Sequence, residues 1–87
     1  MIGSISRDSF VDFTFELSKR CNDFGIRYSR SSNSFTLLIS SNKSLEFYLT
    51  NNGTVNLLDD INKEVKILSF RTIASVEDYV LRWIINC

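Results

Sequence analysis

The sequence predicts an α+β fold: an N-terminal helix, an antiparallel meander of about five strands and a C-terminal helix, in two layers with both helices on one sheet face. Three observations carry this. Apolar residues recur at steps of three and four before Gly25 and again after Ser75. Between these stretches the period drops to two, and short Ser, Asn and Gly clusters break the alternating run into strands. At 87 residues the chain is one domain, 1–87, with no repeat or linker.

The first helix is expected from Asp8 to Phe24, where Phe10, Phe13, Leu17, Cys21 and Phe24 share a face. Asp8 or Ser9 is the expected N-cap. Gly25 suits a left-handed C′ residue, and Ile26 the apolar residue that folds back on Cys21 in a Schellman stop. Cys21 is therefore a core thiol. Lys19 and Arg20 complement the negative end of the helix.

Ile26 and Tyr28 then alternate with Arg27 and Ser29, and Arg30 to Ser34 is a polar turn. Phe35, Leu37 and Ile39 point one way along the second strand; Leu45, Phe47 and Leu49 do so along the third. Asn51-Asn52-Gly53 is a hairpin signal, because Asn and Gly tolerate positive φ. The fourth strand, Thr54 to Leu58, turns Val55 and Leu57 inward. Asp59 to Glu64 reads as a polar connection. Val65 to Arg71 is a fifth strand of ambiguous phase, with Val65 and Ile67 on one face and Leu68 and Phe70 on the other. Ser75, with Asp78 three residues on, opens the second helix. Its stripe is Val76, Val80, Trp83 and Cys87, and it runs to the chain end.

The chain carries 10 Lys+Arg against 10 Asp+Glu, with no His and no Pro. A balanced charge argues against nonspecific nucleic-acid binding. Without His, the commonest general base and a usual zinc ligand are missing, and no nucleophile–His pair can form. Gly3, Gly25 and Gly53 are isolated, so no Gly-rich phosphate loop is present. The reading is a protein that is not an enzyme and takes no cofactor. No apolar leader or membrane span is visible, which predicts a cytoplasmic protein with no membrane contact. Asn42-Lys43-Ser44 and Asn52-Gly53-Thr54 then read as turns.

Three constellations remain. Glu77-Asp78 is expected in the first turn of the last helix, as a complement to its dipole. Asp59-Asp60, in a connection, is a solvated turn or a contact for a cation or basic partner. Tyr28 between Arg27 and Arg30 is a weak single-strand stacking site. The sheet face away from the helices is more informative. Leu38, Tyr48, Leu58 and either Leu68 or Phe70 would form a band there, among Thr36, Glu46, Thr50, Asn56 and Lys66. Such a band marks a protein-binding surface or a homodimer interface more often than a catalytic one.

Phe35-Thr36-Leu37, Leu45-Glu46-Phe47-Tyr48-Leu49, the Asn52-Gly53 turn with Val55-Asn56-Leu57, and Ala74-Ser75-Val76-Glu77-Asp78-Tyr79-Val80-Leu81 resemble segments of small bacterial immunity proteins. The group resembled neutralises NAD-hydrolysing toxins of the tuberculosis-necrotizing-toxin type, and the likeness spans residues 10–84. Gly25-Ile26-Arg27-Tyr28 matches the group's short Gly-plus-apolar helix exit. The chain departs in being a single unit, where many such proteins are longer or duplicated and carry Trp or Gly-Tyr near that exit, and in having its only Trp, Trp83, in the last helix. The resemblance implies an inhibitor that blocks a toxin active site. Tyr48 and Leu58 would be its anchors, Glu46, Asp59 and Asp60 would steer encounter, and the Asn51-Asn52 tip would enter the cleft. The alternatives are a phage- or plasmid-borne inhibitor of a host nuclease, using Asp59-Asp60 as a phosphate mimic, and a small nucleic-acid-binding domain.

Overall fold

The computed structural model describes residues 4–86. Its elements are α1 (Arg7–Phe24), β1 (Arg27–Arg30), β2 (Ser34–Ser40), β3 (Lys43–Leu49), β4 (Val55–Ile61), β5 (Glu64–Phe70) and α2 (Ile73–Ile85). The strands form one antiparallel sheet in the order β1-β2-β3-β4-β5, the expected meander. Both helices lie on one face, and their C-terminal ends lie at the same end of the sheet. There α1 turns into β1, whose first residue pairs with Leu38, and the Lys43 ammonium donates to the Asn86 carbonyl at 3.5 Å.

The first helix closes as its sequence requires. Gly25 is left-handed at φ 69°, its N–H bonds Asn22 O at 3.3 Å, and Ile26 N–H bonds Cys21 O at 2.8 Å. This is the Schellman pair. The N-caps fall earlier than expected. Ser6, in extended backbone, accepts from Ser9 N–H at 3.1 Å, and Thr72 accepts from Ser75 N–H at 3.2 Å. A cap must precede the helical φ/ψ run, and Asp8, Ser9 and Ser75 are already inside it. Glu77 and Asp78 consequently sit beyond the first turn of α2, where Asp78 pairs with Arg82 at 3.2 Å. Lys19 likewise lies short of the last turn of α1, beside Glu16 at 3.4 Å and over the Phe15 ring.

The core is aromatic at its centre. Phe47 meets Phe10 edge-on at 5.9 Å and stacks on Phe35 at 5.5 Å, while Tyr28 stacks on Phe35 from the outer strand. Leu37, Leu45, Val55 and Leu57 complete the sheet side, and Leu17, Cys21, Val76, Val80 and Trp83 the helix side. Cys87, expected to extend the α2 stripe, lies outside the described residues. Ile39 departs from the expected inward set: the β2–β3 register shifts between Leu38 and Ser40, and the irregularity leaves Ile39 exposed.

The largest departure is in β4 and β5. The expected connection from Asp59 to Glu64 shrinks to Asn62-Lys63, both with positive φ (56° and 68°), a two-residue hairpin turn. Asp59, Asp60 and Ile61 therefore belong to β4, and Glu64 to β5. The tight turn also fixes the uncertain phase. Leu57 pairs with Leu68 and Val55 with Phe70, so Leu68 and Phe70 face the helices, while Val65 and Ile67 face the open side.

Candidate functional surface

Residues directly opposite in an antiparallel sheet share a face, so the registers define the open surface row by row. One row runs Ser29, Thr36, Glu46, Leu58, Ile67; a second runs Arg27, Leu38, Ser44, Asp60, Val65; a third runs Ser34, Tyr48, Asn56, Ser69. Four of the residues expected to meet a partner lie here: Glu46 and Tyr48 on β3, Leu58 and Asp60 on β4. Ile67 is the most exposed of the apolar strand residues at 74%, followed by Val65 at 50%. The band was therefore correctly expected at Leu38, Tyr48 and Leu58. On β5 it consists of Val65 and Ile67, not Leu68 or Phe70, and Lys66 lies on the other face opposite Asp59. Between β2 and β5 this face carries two carboxylates, Glu46 and Asp60, and no Lys or Arg among the described residues. Asn56 donates to the Tyr48 hydroxyl at 3.4 Å and Thr36 to Glu46 at 3.5 Å, which hold both side chains along the surface.

Asn51 and Asn52 sit exposed at the β3–β4 tip. The tip is braced rather than free. Thr50 Oγ1 accepts from the Asn52 and Thr54 N–H groups, and the Gly53 carbonyl accepts from Ile5 N–H at 2.7 Å. Ile5 is buried in the core.

Asp59 is the correction among the expected contact residues. Adjacent strand residues point to opposite faces, so Asp60 stays on the open face while Asp59 turns under α2. It is 6% exposed there. It accepts from the Tyr79 hydroxyl at 2.5 Å and the Trp83 indole N–H at 3.0 Å. Its carboxylate ties β4 to α2, and Asp59-Asp60 cannot act as one phosphate mimic. Burial first, then the hydrogen bond to Asp59 and its negative charge, push the Tyr79 phenol up to about 12. A signal existed in the sequence: Tyr79 and Trp83, four apart on one apolar helix face, each bring a polar atom that needs a partner when buried.

The basic constellation is also divided. Arg27 is on the open face, whereas Tyr28 stacks on Phe35 and Arg30 donates to Thr14 and to the Val11 carbonyl, both at 3.1 Å. These groups pin β1 to α1 and do not form one stacking site. Burial pushes the Cys21 thiol up to about 11, as expected of a core thiol. A groove of about 490 Å³ at the C-terminal end of α2 is lined by Lys43, Asp59, Tyr79, Arg82 and Trp83, with Lys43 over the Trp83 ring. Among the described residues, no three His, Cys, Asp or Glu side chains cluster as a metal site, and no helix is long and apolar enough to cross a membrane. No family model, curated protein or solved structure matches the chain.

Proposed function

We propose that this protein is an inhibitory binding module of the immunity type, which uses its open sheet face to cover a toxin domain. The reading rests on the resemblance of the strand and helix segments to immunity proteins. One structural observation supports it: an uncovered face places Tyr48, Leu58 and Ile67 among Glu46 and Asp60, with no basic side chain between β2 and β5 among the described residues. The chemistry suits a partner surface on which cationic groups lie beside apolar ones. Tyr48 and Leu58 would supply desolvated anchors, and the two carboxylates would accelerate encounter and oppose acidic partners.

The test is co-expression with the product of the neighbouring upstream gene, followed by titration of the purified pair; a neighbour with no toxin-like domain that forms no complex counts against the reading. Glu46→Lys with Asp60→Lys should slow association at least tenfold at low salt, and Tyr48→Ala should speed dissociation by about tenfold, roughly 1.4 kcal/mol. Failure to form a complex, or affinities within twofold of the parent for all three changes, overturns the proposal.

A further inference from the structure

We propose that the chain pairs with a second copy of itself through β5, giving a two-fold dimer with one continuous ten-stranded sheet. β5 ends the strand order and pairs only with β4, so its outer edge presents unpaired backbone donors and acceptors among the described residues. The opposite edge is defended. β1 has only four residues, two of them arginines, and Arg30 fastens it to α1. β5 has seven residues, Glu64-Val65-Lys66-Ile67-Leu68-Ser69-Phe70, exposed or half-buried throughout.

Symmetry restricts the register. A two-fold axis perpendicular to the sheet keeps each face continuous, so the axis must pass through a residue. At Lys66 it would set two ammonium groups face to face, and at Leu68 it would shorten the pairing. At Ile67 all seven residues pair: Ile67 meets its own copy, Lys66 meets Leu68, Val65 meets Ser69 and Glu64 meets Phe70. No like charges are opposed.

The seat of α2 is compatible with the same axis. Asp78 and Arg82 line the groove beside Asp59 and Ile61, on the side of α2 away from α1. Tyr79 reaches Asp59 of β4 and packs on Phe70 of β5, with ring centroids 5.7 Å apart, so the middle of α2 stands over β4 and β5 level with Leu68. The Ile67 axis then lays the two α2 helices antiparallel on one face of the joined sheet, with Arg82 held inward beside Lys43 of β3 and Asp59 and Ile61 of β4. With strands about 4.8 Å apart the helix axes would lie about 10 Å apart, within ordinary helix packing.

The experiment is light-scattering mass measurement of the full chain at about 100 µM (~10⁻⁴ M), a concentration that registers a dimer whose Kd lies at or below it. The expected mass is twice the 10.0 kDa of one chain, falling to a single chain for Ile67→Lys. Ile67 is 74% exposed, so the variant should keep the parent circular dichroism. Should it misfold, Ile67→Cys in a Cys87→Ser background decides. Opposed Cβ atoms about 4.5–5.5 Å apart should let it cross-link covalently on mild oxidation, whereas Tyr48→Cys should not. A single-chain mass for the parent, a dimer that survives Ile67→Lys, or equal cross-linking at Tyr48→Cys overturns the proposal.

Discussion

Replacing Asp59 by Ala should remove about 3 kcal/mol of folding stability, although the residue sits two positions beyond Leu57, the last buried aliphatic of its strand. The magnitude follows from the two donors left behind. The Trp83 indole N–H is buried and bonded to Asp59 at 3.0 Å, and losing the acceptor of a buried donor costs about 1–3 kcal/mol. The Tyr79 hydroxyl is half-buried and can turn to water, so its lost bond costs about 1 kcal/mol. Burying the carboxylate is itself unfavourable, and relieving that burial keeps the total below the sum of two charged hydrogen bonds.

Urea unfolding followed by fluorescence reads this directly, because Trp83 is the sole tryptophan. In an 87-residue domain the same loss should lower Tm by about 12–24 °C. Asp59→Asn should cost only about 1 kcal/mol: its oxygen can still accept from Trp83 while its amide donates to the Tyr79 oxygen. Asp59→Ala combined with Trp83→Phe, followed by circular dichroism, should cost at least about 1 kcal/mol less than the two singles added, because the stranded donor is gone. If Asp59→Ala unfolds within about 0.5 kcal/mol of the parent, the carboxylate does not join β4 to α2 and the argument fails.

The Tyr79 phenol is raised from 10.0 in the unfolded chain to about 12 in the fold. Its contribution is therefore fully present below pH 10 and lost as pH climbs towards 12, and Tyr79→Phe should flatten that alkaline loss. At Gly53, φ is +77° and an added Cβ would lie 3.0 Å from the Ser4 Cβ and 3.3 Å from the Ile5 nitrogen, whereas at Gly25 only the φ of +69° opposes a side chain. Gly25→Ala should cost about 1 kcal/mol and Gly53→Ala clearly more, measured by thermal unfolding. Lys63 occupies a left-handed position at φ 68°, so Lys63→Gly should stabilise the β4–β5 hairpin, by about 0.5–1 kcal/mol in the same assay.

The architecture was legible because it follows from period. The 3.6-residue stripe through Phe10, Phe13, Leu17 and Cys21, its Gly25-Ile26 stop and the alternation through Phe35, Leu45 and Phe47 each correspond to an element. The β4–β5 boundary was not legible. Lys63 lacks the glycine that normally advertises a positive φ, and Asp59 interrupts an inward apolar series with a charge. Treating two adjacent acids as a connection is reasonable on composition. The sheet overrides it because Tyr79 and Trp83, twenty and twenty-four residues away, supply the donors that let a carboxylate be buried. The signal for this compensation lies on α2, in two polar-tipped aromatics four apart, and nothing within β4 itself marks Asp59 as their partner. The surface follows from the same boundary: a connection of uncertain length leaves the β5 phase open, so the sequence points to Leu68 or Phe70 for the open face where the two-residue turn places Val65 and Ile67.

The two proposals bear on one another through the layout of the open face. Four seven-residue strands and the four-residue β1, about 4.8 Å apart and about 3.4 Å per residue, give a face of roughly 500 Å². A standard protein interface takes about 800 Å² from each side. Within one copy the central row also reads outward from polar to apolar: Thr36, Glu46, Leu58, Ile67. Its most hydrophobic residue is at the edge and a carboxylate is near the middle, the reverse of an interface with an apolar core and polar rim. The two-fold axis through Ile67 corrects both features, because both open faces point the same way and their areas join. The row then runs from Glu46 through Leu58 and Ile67 to the second Ile67, Leu58 and Glu46. An apolar centre is flanked by carboxylates on a surface of about 1,000 Å². A partner that is apolar at its centre and cationic around it would meet the dimer more completely than either copy alone.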